Sequence, residues 1–474
     1  MRRFLPLLLL LLTSANLYAA KVTIINTDGP NVGFNDPTPA SPVAGNPGTT
    51  RGAQRLYVIQ TAANIWGARL YSNVEITIAT RFAPIAGECD ATSAVLAFAG
   101  SQAYLANFAN APLQNVRYPI ALANKFAGTD LRPNDADIVA QFNADVDNDT
   151  CLGESNWYYG LDGNEGDHQD LLATALHEFA HGLGMAGSAN LDTGALTSNL
   201  PSVYTVNVFD NETNLFWHQM TNAQRVASAT NTGNVVWAGA FARASALRLL
   251  QPLPVLTTSG LISRGFDIGT ADFGADVQKT TASGTVVPAI DAVTENGPTT
   301  TDGCSTYTNT DAVRGKWALV DRGTCQFVVK GFNAQQAGAV GLIVVDNRRD
   351  TCYPPAMGIA DPEVDPALVT IPVISVSQDD GAVLRANAGA QALLHVDPTR
   401  LAGADAQGRP RLYAPCTLES GSSIHHWDIT ATPNLLMEPS ISHDLDHNLD
   451  ISTQQLYDIG WGLQPTTGRR VTRR

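Results

Sequence analysis

Residues 167–187 read "DHQDLLATALHEFAHGLGMAG", and this stretch decides how the rest of the sequence is interpreted. Leucine, alanine and phenylalanine recur at helical spacing along it, which predicts a helix with an apolar face. Asp167 is the predicted N-cap, and Gly182 and Gly184 mark the predicted end. Two glycines so close together let the chain turn sharply as soon as the helix stops.

The predicted helix carries a candidate metal site. His177 and His181 are four residues apart, so they project from one face and can reach a single ion. Two imidazoles suit zinc, at bond lengths of about 2.0–2.1 Å, and Glu178 beside them can act as general base toward a water that the ion activates. A surface helix with solvated histidines is the alternative. The apolar face and the glycine break favour zinc.

A catalytic zinc ion needs three protein ligands, and the helix supplies only two. An ordinary metzincin would place the third histidine at position 187, where this chain has Gly187. A later stretch, "GSSIHHWDITATPNLLMEPSISHDL" (residues 421–445), contains His425, His426 and Met437. It resembles leishmanolysin and its bacterial relatives, which are metzincins whose third histidine lies far downstream, just before a methionine turn.

The resemblance implies roles for individual residues in the later stretch. His426 would be the third zinc ligand and Met437 the methionine of the turn. His426 is preferred to His425 because the resembling families place the histidine directly before a tryptophan, and Trp427 stands there in this chain. We expect His425 to be a solvent-exposed neighbour.

The 245 residues between His181 and His426 are too many for one loop, so an inserted domain is predicted between them. "VDRGTCQFVVKGFNAQQAGAVGLIVVDN" (residues 320–347) reads as strand, helix and strand, and "IPVISVS" (371–377) as a further strand. This segment resembles the protease-associated (PA) domain. In known families that domain is a non-catalytic part of secreted peptidases and sorting receptors, which implies a role in substrate access or partner contact. A purely stabilising lid is the alternative.

The first catalytic segment has its own pattern before the zinc helix. Residues 52–70 are predicted to form an amphipathic helix, and "VEITIATRF" and "DADIVAQFNAD" are predicted strands. The predicted domains are residues 21–260, the first part of the catalytic domain; 261–397, the inserted PA domain; and 398–465, the second part with the third histidine. A basic tail covers 466–474.

Residues 1–20 read as a secretory signal peptide with cleavage near Ala19–Ala20, so a secreted, extracellular or periplasmic protein without a stable membrane anchor is expected. The six cysteines form an even set, which favours disulfides in an exported chain. Fifteen pairings exist. Proximity favours Cys89 with Cys151 and groups the other four together.

The net charge of −15 over 474 residues argues against nucleic acid as a partner. Protein or peptide substrates and a monomer are expected. Other motifs are weaker: His443 and His447 read as a polar loop before the last helix rather than a second metal site, and His168 as a residue of the helix-capping region. Residues 145–151, "DVDNDTC", lack the glycine and distal glutamate of an EF-hand, so the sequence does not support calcium (Ca²⁺).

Together these features predict an α/β (α+β) zincin of metzincin-like type with an inserted α/β PA domain. The expected function is a secreted zinc-dependent endopeptidase. One Zn²⁺ ion would be bound by His177, His181 and His426, with Glu178 as general base. The alternative is a catalytically silent exported binding or adhesion protein that works through its PA domain. The intact Glu178 argues against that alternative.

Overall fold

The computed structural model describes residues 19–87, 89–153, 155–348, 352–359 and 362–462. The predicted signal peptide, apart from its last two residues, and the basic tail lie outside this part of the chain. The protein divides into two compact units. Unit 1 comprises the chain up to residue 186, with 445–449 and everything from 453 onward; unit 2 comprises 187–444 and 450–452. No helix among the described residues combines the length and apolar character needed to cross a bilayer.

The helices are α1 (Arg51–Arg69), α2 (Ile120–Ala127), α3 (Leu171–Leu183), α4 (Asn222–Ser228), α5 (Ala240–Leu249), α6 (Thr310–Val313), α7 (Phe327–Gln336), α8 (Gln378–Ala386) and α9 (Ser452–Ile459). The strands are β1 (Val22–Asn26), β2 (Ile76–Ala83), β3 (Ala97–Ser101), β4 (Tyr104–Leu105), β5 (Tyr118–Pro119), β6 (Ile138–Asn143), β7 (Trp157–Tyr158), β8 (Gln169–Asp170), β9 (Val208–Asp210), β10 (Leu215–Phe216), β11 (Val235–Trp237), β12 (Pro252–Ser259), β13 (Arg264–Phe266), β14 (Gly269–Thr270), β15 (Ala282–Pro288), β16 (Trp317–Asp321), β17 (Gly341–Val345), β18 (Val373–Val376) and β19 (Gln391–Leu401). The mixed α/β content agrees with the α/β part of the expected fold class.

Unit 1 is built on a four-stranded sheet with the order β1-β2-β6-β3. The first three strands are parallel, and β3 runs antiparallel to β6 at the edge. The predicted helix over 52–70 is confirmed by α1, and the two predicted strands are confirmed by β2 and β6. This sheet supports α3, the helix that carries the two histidines.

Helix α3 is buried on nearly every side. The indole Nε1 of Trp66 in α1 donates to the carbonyl of Leu176, 2.9 Å away, and the ring of Phe179 lies edge-on to Phe142 of β6 at 6.4 Å. The predicted N-cap was wrong. Asp170, not Asp167, caps the helix, and its side chain accepts from the backbone N–H groups of the first turn. Asp167 lies too early because residues 169–170 are still paired as β8.

The end of α3 depends on its two glycines. A Cβ at Gly182 would lie 2.4 Å from Cγ2 of Ile138, so only glycine lets the helix approach the sheet this closely. Gly184 adopts a φ of 124°, and a Cβ there would lie 2.7 Å from Cδ1 of Ile459. The predicted abrupt stop is therefore confirmed, and its cause is both backbone conformation and packing.

Replacement of Gly184 by alanine should destabilise the protein by about 2–4 kcal/mol, because it adds a steric clash to an unfavourable φ. Gly128 ends α2 at a φ of 72° and serves as the control, because a Cβ at that position would meet nothing within 4 Å. Gly128→Ala should cost only about 1 kcal/mol. Thermal unfolding midpoints of both variants check this, and equal losses would contradict the role of packing at Gly184.

Unit 2 contains an eight-stranded sheet with the order β13-β12-β19-β15-β16-β17-β18-β14. Strands β15 to β18 are parallel, and the outer strands run antiparallel to their neighbours. Two hydrophobic clusters draw on these strands and on α7 and α8. The strand, helix and strand predicted over 320–347, and the strand within 371–377, are confirmed by β16, α7, β17 and β18.

The two ends of the segment from β12 to β19 lie side by side. Pro252 pairs with Leu401 at the end of the β12–β19 ladder, and the N–H of Ala402 donates to the carbonyl of Gln251 at 2.9 Å. An inserted segment requires such adjacent ends. The predicted insert, 261–397, lies within the stretch from 252 to 401 that this ladder closes.

Three disulfides join all six cysteines: Cys89–Cys151 in unit 1, and Cys304–Cys325 and Cys352–Cys416 in unit 2. The favoured pairing of Cys89 with Cys151 is confirmed, as is the grouping of the other four. Disulfides persist in oxidising compartments, so three of them indicate an extracellular or similarly oxidising location.

Candidate metal centre

The two histidines of α3 face each other closely in unit 1. Their Nε2 atoms are 3.2 Å apart, and their rings meet edge to face at 4.9 Å. Two nitrogens bound to one tetrahedral zinc ion at about 2.05 Å would be separated by about 3.3 Å. The donor atoms of His177 and His181 therefore have the spacing that a shared zinc ion needs.

The tautomer of His181 is set by the turn that follows the helix. Its Nδ1 lies 2.8 Å from the carbonyl oxygen of Met185, so Nδ1 carries the proton and Nε2 presents its lone pair. Burial lowers the pKa of His181, although the bond to Met185 opposes that effect. Gly184 makes this contact available because it turns the chain back toward the helix. His181 is thus held neutral, which is the form that binds metal.

Glu178 lies between these histidines in sequence and is buried, with 7% of its surface exposed. Burial raises the pKa of Glu178 to about 8, while a hydrogen bond from the backbone N–H of Ala99 acts in the opposite direction. A general base works best when its pKa is near the operating pH. The environment of Glu178 thus suits proton transfer near neutrality.

The start of α3 is anchored by a pair that the sequence did not reveal. One carboxylate oxygen of Asp170 accepts from the N–H groups of Leu172 and Ala173, at 2.7 and 3.0 Å. The other lies 2.5 Å from Nε2 of His447. His447 lies in the loop before α9, as predicted, and its imidazole binds Asp170. His168 lies two residues before this N-cap, in the capping region as predicted, and its Nδ1 accepts from the N–H of Asn156.

His447 is protonated more readily than an ordinary histidine. Burial by itself would lower its pKa, but the hydrogen bond and charge of Asp170, with the charges of Glu165 and Asp446, raise the pKa above 6.5. A raised pKa in the folded state means that the charged pair stabilises the fold fully below about pH 6.5. That contribution is lost as the pH rises through the folded-state pKa.

His447→Gln should therefore lower stability by about 1–3 kcal/mol at pH 5.5, where the charged hydrogen bond is complete, and by less at pH 9. Thermal unfolding midpoints at the two pH values measure this difference. His443→Gln changes an exposed histidine nearby and serves as the control, with little effect at either pH. A loss for His447→Gln that does not shrink at pH 9 would contradict the charged pair.

In unit 2, His426 is buried and fixed in the same tautomer as His181. Its Nδ1 lies 2.8 Å from the carbonyl of Ser422, so Nδ1 carries the proton and Nε2 presents its lone pair. Its own carbonyl accepts from the N–H of Tyr413 at 2.9 Å. Only 5% of the residue is exposed. His426 thus presents one defined donor atom from a rigid backbone.

The predicted proximity of His426 and Met437 is supported through Trp427. The N–H of Trp427 donates to the carbonyl of Met437 at 2.7 Å, and its indole Nε1 donates to Oγ of Ser452 at 3.0 Å. Met437 is completely buried. The residue after His426 is therefore bonded directly to the turn that contains the methionine.

His425 does not behave as predicted. It is half-buried instead of solvent-exposed, and its ring packs on Gly187 and lies edge-on to Tyr204 at 6.1 Å. A Cβ at position 187 would lie 3.0 Å from Nε2 of His425. Tyr204, which no sequence pattern singled out, supports this loop by donating to the carbonyl of Ile424 at 2.6 Å.

Within residues 145–151, one carboxylate is engaged by other side chains of the protein. Asp147, the central acid of the stretch, pairs with Nη2 of Arg55 at 2.6 Å and accepts from the hydroxyl of Tyr159 at 2.5 Å. Arg55 also lies 4.2 Å from the ring of Phe82. The carboxylate is thus part of a structural ion pair in unit 1.

Comparison with known proteins identifies one region. Residues 282–384 match the PA domain family, within the stretch that was predicted to be one. The human ER degradation-enhancing alpha-mannosidase-like protein 3 is 38% identical over 87 residues, which cover 18% of this chain and 9% of that protein. A probable lipoprotein aminopeptidase LpqL of Mycobacterium tuberculosis is 32% identical over 153 residues, 27% of this chain and 29% of the relative. The chain spans less than a third of each of these curated relatives.

Among solved structures, a zinc aminopeptidase from Bacillus subtilis aligns with 33% of this chain and 36% of its own, at 19% identity and a TM-score of 0.22. A similarity this weak supports no conclusion about fold or function. The PA domain is therefore established, whereas the activity has to be argued from the site.

Proposed function

We propose that this protein is a secreted zinc-dependent endopeptidase in which His177, His181 and His426 bind one zinc ion and Glu178 is the general base. The observation that carries the proposal is the pair of Nε2 atoms on α3, 3.2 Å apart. Either one ring donates a proton to the other across this distance, or both nitrogens offer their lone pairs to one cation. The separation equals that of two nitrogens on one tetrahedral zinc ion, and this match supports the second arrangement.

The third ligand follows from the chemistry of the histidines. In both His181 and His426, the Nδ1–H group donates a hydrogen bond to a backbone carbonyl. The unprotonated Nε2 is therefore the atom that can bind the metal. Zinc-binding histidines commonly have such a second bond, because it orients the ring and raises its basicity. His426 shares this feature, and its bonded neighbour Trp427 connects it to Met437, as the resemblance to leishmanolysin implies. We therefore assign His426 as ligand and Met437 as the turn methionine of a metzincin-like zincin.

The substrate would lie along the edge strand β3. The N–H of Ala99 is directed to Glu178 and not to β6, so the outer edge of β3 faces the general base. An extended peptide can pair with such an edge through its backbone, largely independent of its side chains. This position would bring an internal peptide bond beside the Glu178 carboxylate, which favours endopeptidase activity.

A zinc ion at this site would polarise the scissile carbonyl and lower the pKa of an attacking water toward about 7. Glu178 takes the proton from the water and then gives it to the leaving amine. Its burial keeps the carboxylate apart from bulk water, so the proton stays in the site. No covalent bond to the protein forms at any step.

The similarity to known proteins supports peptide hydrolysis only in general terms. One relative is named as a probable aminopeptidase and the other as an alpha-mannosidase-like protein, so a PA domain alone does not define an activity. The peptidase proposal depends on the two histidines and the buried glutamate of α3. The same three residues argue against the alternative of a silent binding protein.

Glu178→Gln should keep bound zinc, because the glutamate is not a ligand, and should lower peptide hydrolysis at least about a hundredfold. The assay is cleavage of an internally quenched peptide with both termini blocked, which an aminopeptidase cannot attack. Zinc content by atomic spectroscopy is measured on the same samples. Addition of a chelator to the wild-type protein should abolish cleavage.

Near wild-type activity in Glu178→Gln would remove Glu178 from the mechanism. Absence of cleavage by the zinc-loaded wild-type protein, with hydrolysis of an aminoacyl p-nitroanilide instead, would replace endopeptidase by aminopeptidase activity. If the zinc-loaded protein shows neither of these activities, the alternative of a silent binding protein is favoured.

His426→Ala should greatly reduce bound zinc and abolish cleavage, because two protein ligands do not form a catalytic zinc site. His425→Ala is the matched control, since the neighbouring ring packs on Gly187 and Tyr204 and has no assigned role in binding. It should keep zinc and most of the activity. Both variants are compared with the wild type by zinc content and peptide cleavage. Full zinc in His426→Ala would refute the assignment, and loss in His425→Ala alone would move the ligand by one residue.

A further inference from the structure

We propose that Tyr353 and the Cys352–Cys416 disulfide position the backbone that carries His426, so that the inserted segment sets the geometry of a metal ligand. This inference rests on the proposed function, because it requires His426 to bind zinc. We call residues 352 and 353 the clamp. Both belong to the stretch between β12 and β19, which closes on itself at Gln251 and Ala402.

The disulfide connects the insert to the segment before His426. Cys416 lies outside the insert and precedes His426 by ten residues, whereas Cys352 lies inside it. The two Cα atoms are 5.6 Å apart. By contrast, Cys304–Cys325 joins two residues of the insert, 21 positions apart. Of the three disulfides, only Cys352–Cys416 joins the insert to the histidine-bearing segment.

The neighbouring tyrosine makes a second connection, on the other side of His426. The hydroxyl of Tyr353 donates to Oδ2 of Asp428, 2.6 Å away. Asp428 follows His426 by two residues and is 1% exposed. Its other oxygen accepts from the N–H and the hydroxyl of Thr430. A buried carboxylate is costly unless its oxygens accept hydrogen bonds, so the Tyr353 hydroxyl fixes where Asp428 can lie.

The ring of Tyr353 reaches His426 by a second route. It stacks on Tyr413 with a centroid separation of 6.0 Å and an angle of 11° between the planes. The N–H of Tyr413 donates to the carbonyl of His426 at 2.9 Å, and the carbonyl of Tyr413 accepts from the N–H of Ile424 at 2.7 Å. Tyr353 therefore contacts the segment paired with His426 through its ring, and the segment that contains His426 through its hydroxyl.

These contacts are made to the residues on either side of His426 in the chain and to the segment paired with it. Residues 412–413 pair with 424–427, and the clamp holds that pair from one side through a covalent bond, a stacked ring and a buried hydrogen bond. Loss of a partner behind a metal ligand commonly weakens metal binding by about 10- to 100-fold, because the ligand no longer rests in the bound geometry. The clamp thus acts on zinc affinity through Tyr413 and Asp428.

The test uses the full chain and measures the zinc dissociation constant by competition with a chromogenic chelator. Tyr353→Phe retains the stacked ring and removes the bond to Asp428, and we expect zinc binding to weaken about tenfold. The double variant Cys352→Ser, Cys416→Ser should weaken it by about 10- to 100-fold. The visible spectrum of the Co²⁺-substituted protein should also change in both, because the ligand geometry has changed.

Two controls separate positioning from general stability. Tyr307→Phe removes a buried hydroxyl of the same unit that lacks a hydrogen-bond partner within the described residues, and Cys304→Ser with Cys325→Ser removes the local disulfide of the insert. Both should leave the zinc dissociation constant within about twofold of the wild type, even if the melting temperature of the double variant falls.

Unchanged zinc affinity and an unchanged cobalt spectrum in Tyr353→Phe and in the Cys352 and Cys416 double variant would overturn the clamp while leaving the zinc site intact. Equal weakening in the two controls would also overturn it, because the effect would then be global. If the double variant fails to fold, Tyr353→Phe decides the result. Full zinc binding by His426→Ala would instead refute the proposed ligand set, and the clamp with it.

Discussion

The burial of helix α3 is the constraint on which the rest of unit 1 depends. The N–H groups in the first turn of a helix and the carbonyls in its last turn have no partner within the helix. In a buried helix these groups must be hydrogen-bonded by other groups of the protein instead of by water. Asp170 serves the first turn, and the carbonyl of Leu183 accepts from the indole of Trp461 at 2.8 Å. His447 then holds Asp170 in place. The histidines can be rigid because both ends of their helix are fixed.

Sequence patterns predicted the local features well, because those depend on spacing within one element. Helix α1, strands β2 and β6 and the end of α3 follow from periodicity or short motifs, and the PA region follows from its resemblance to that domain. The features that the sequence did not reveal involved partners distant in sequence. Asp167 was mistaken for Asp170 because β8 pairing cannot be read from the sequence, and His447 lies 277 residues from the carboxylate that binds it. The disulfides were grouped correctly, since proximity along the chain was informative there.

The residues of the candidate site could be predicted from the sequence, but their protonation could not. Residue spacing identified His177, Glu178 and His181, whereas the tautomer of His181 depends on Met185 after the turn, and the raised pKa of Glu178 depends on the burial of α3 against the sheet. Both effects depend on burial, and in both a backbone group of the protein bonds the buried side chain.

The glycine at position 187 also receives a physical explanation. The ring of His425 lies against it, and any larger residue there would contact that ring before its side chain could extend. Tyr204 holds the same loop through its hydroxyl, so the ring has little freedom to move aside. A histidine at 187 would therefore require the ring of His425 to shift. In the proposed zinc site the third ligand therefore comes from a different position, and the neighbouring His426 has suitable chemistry, because its Nδ1 is engaged by Ser422 and its Nε2 is left as the donor atom.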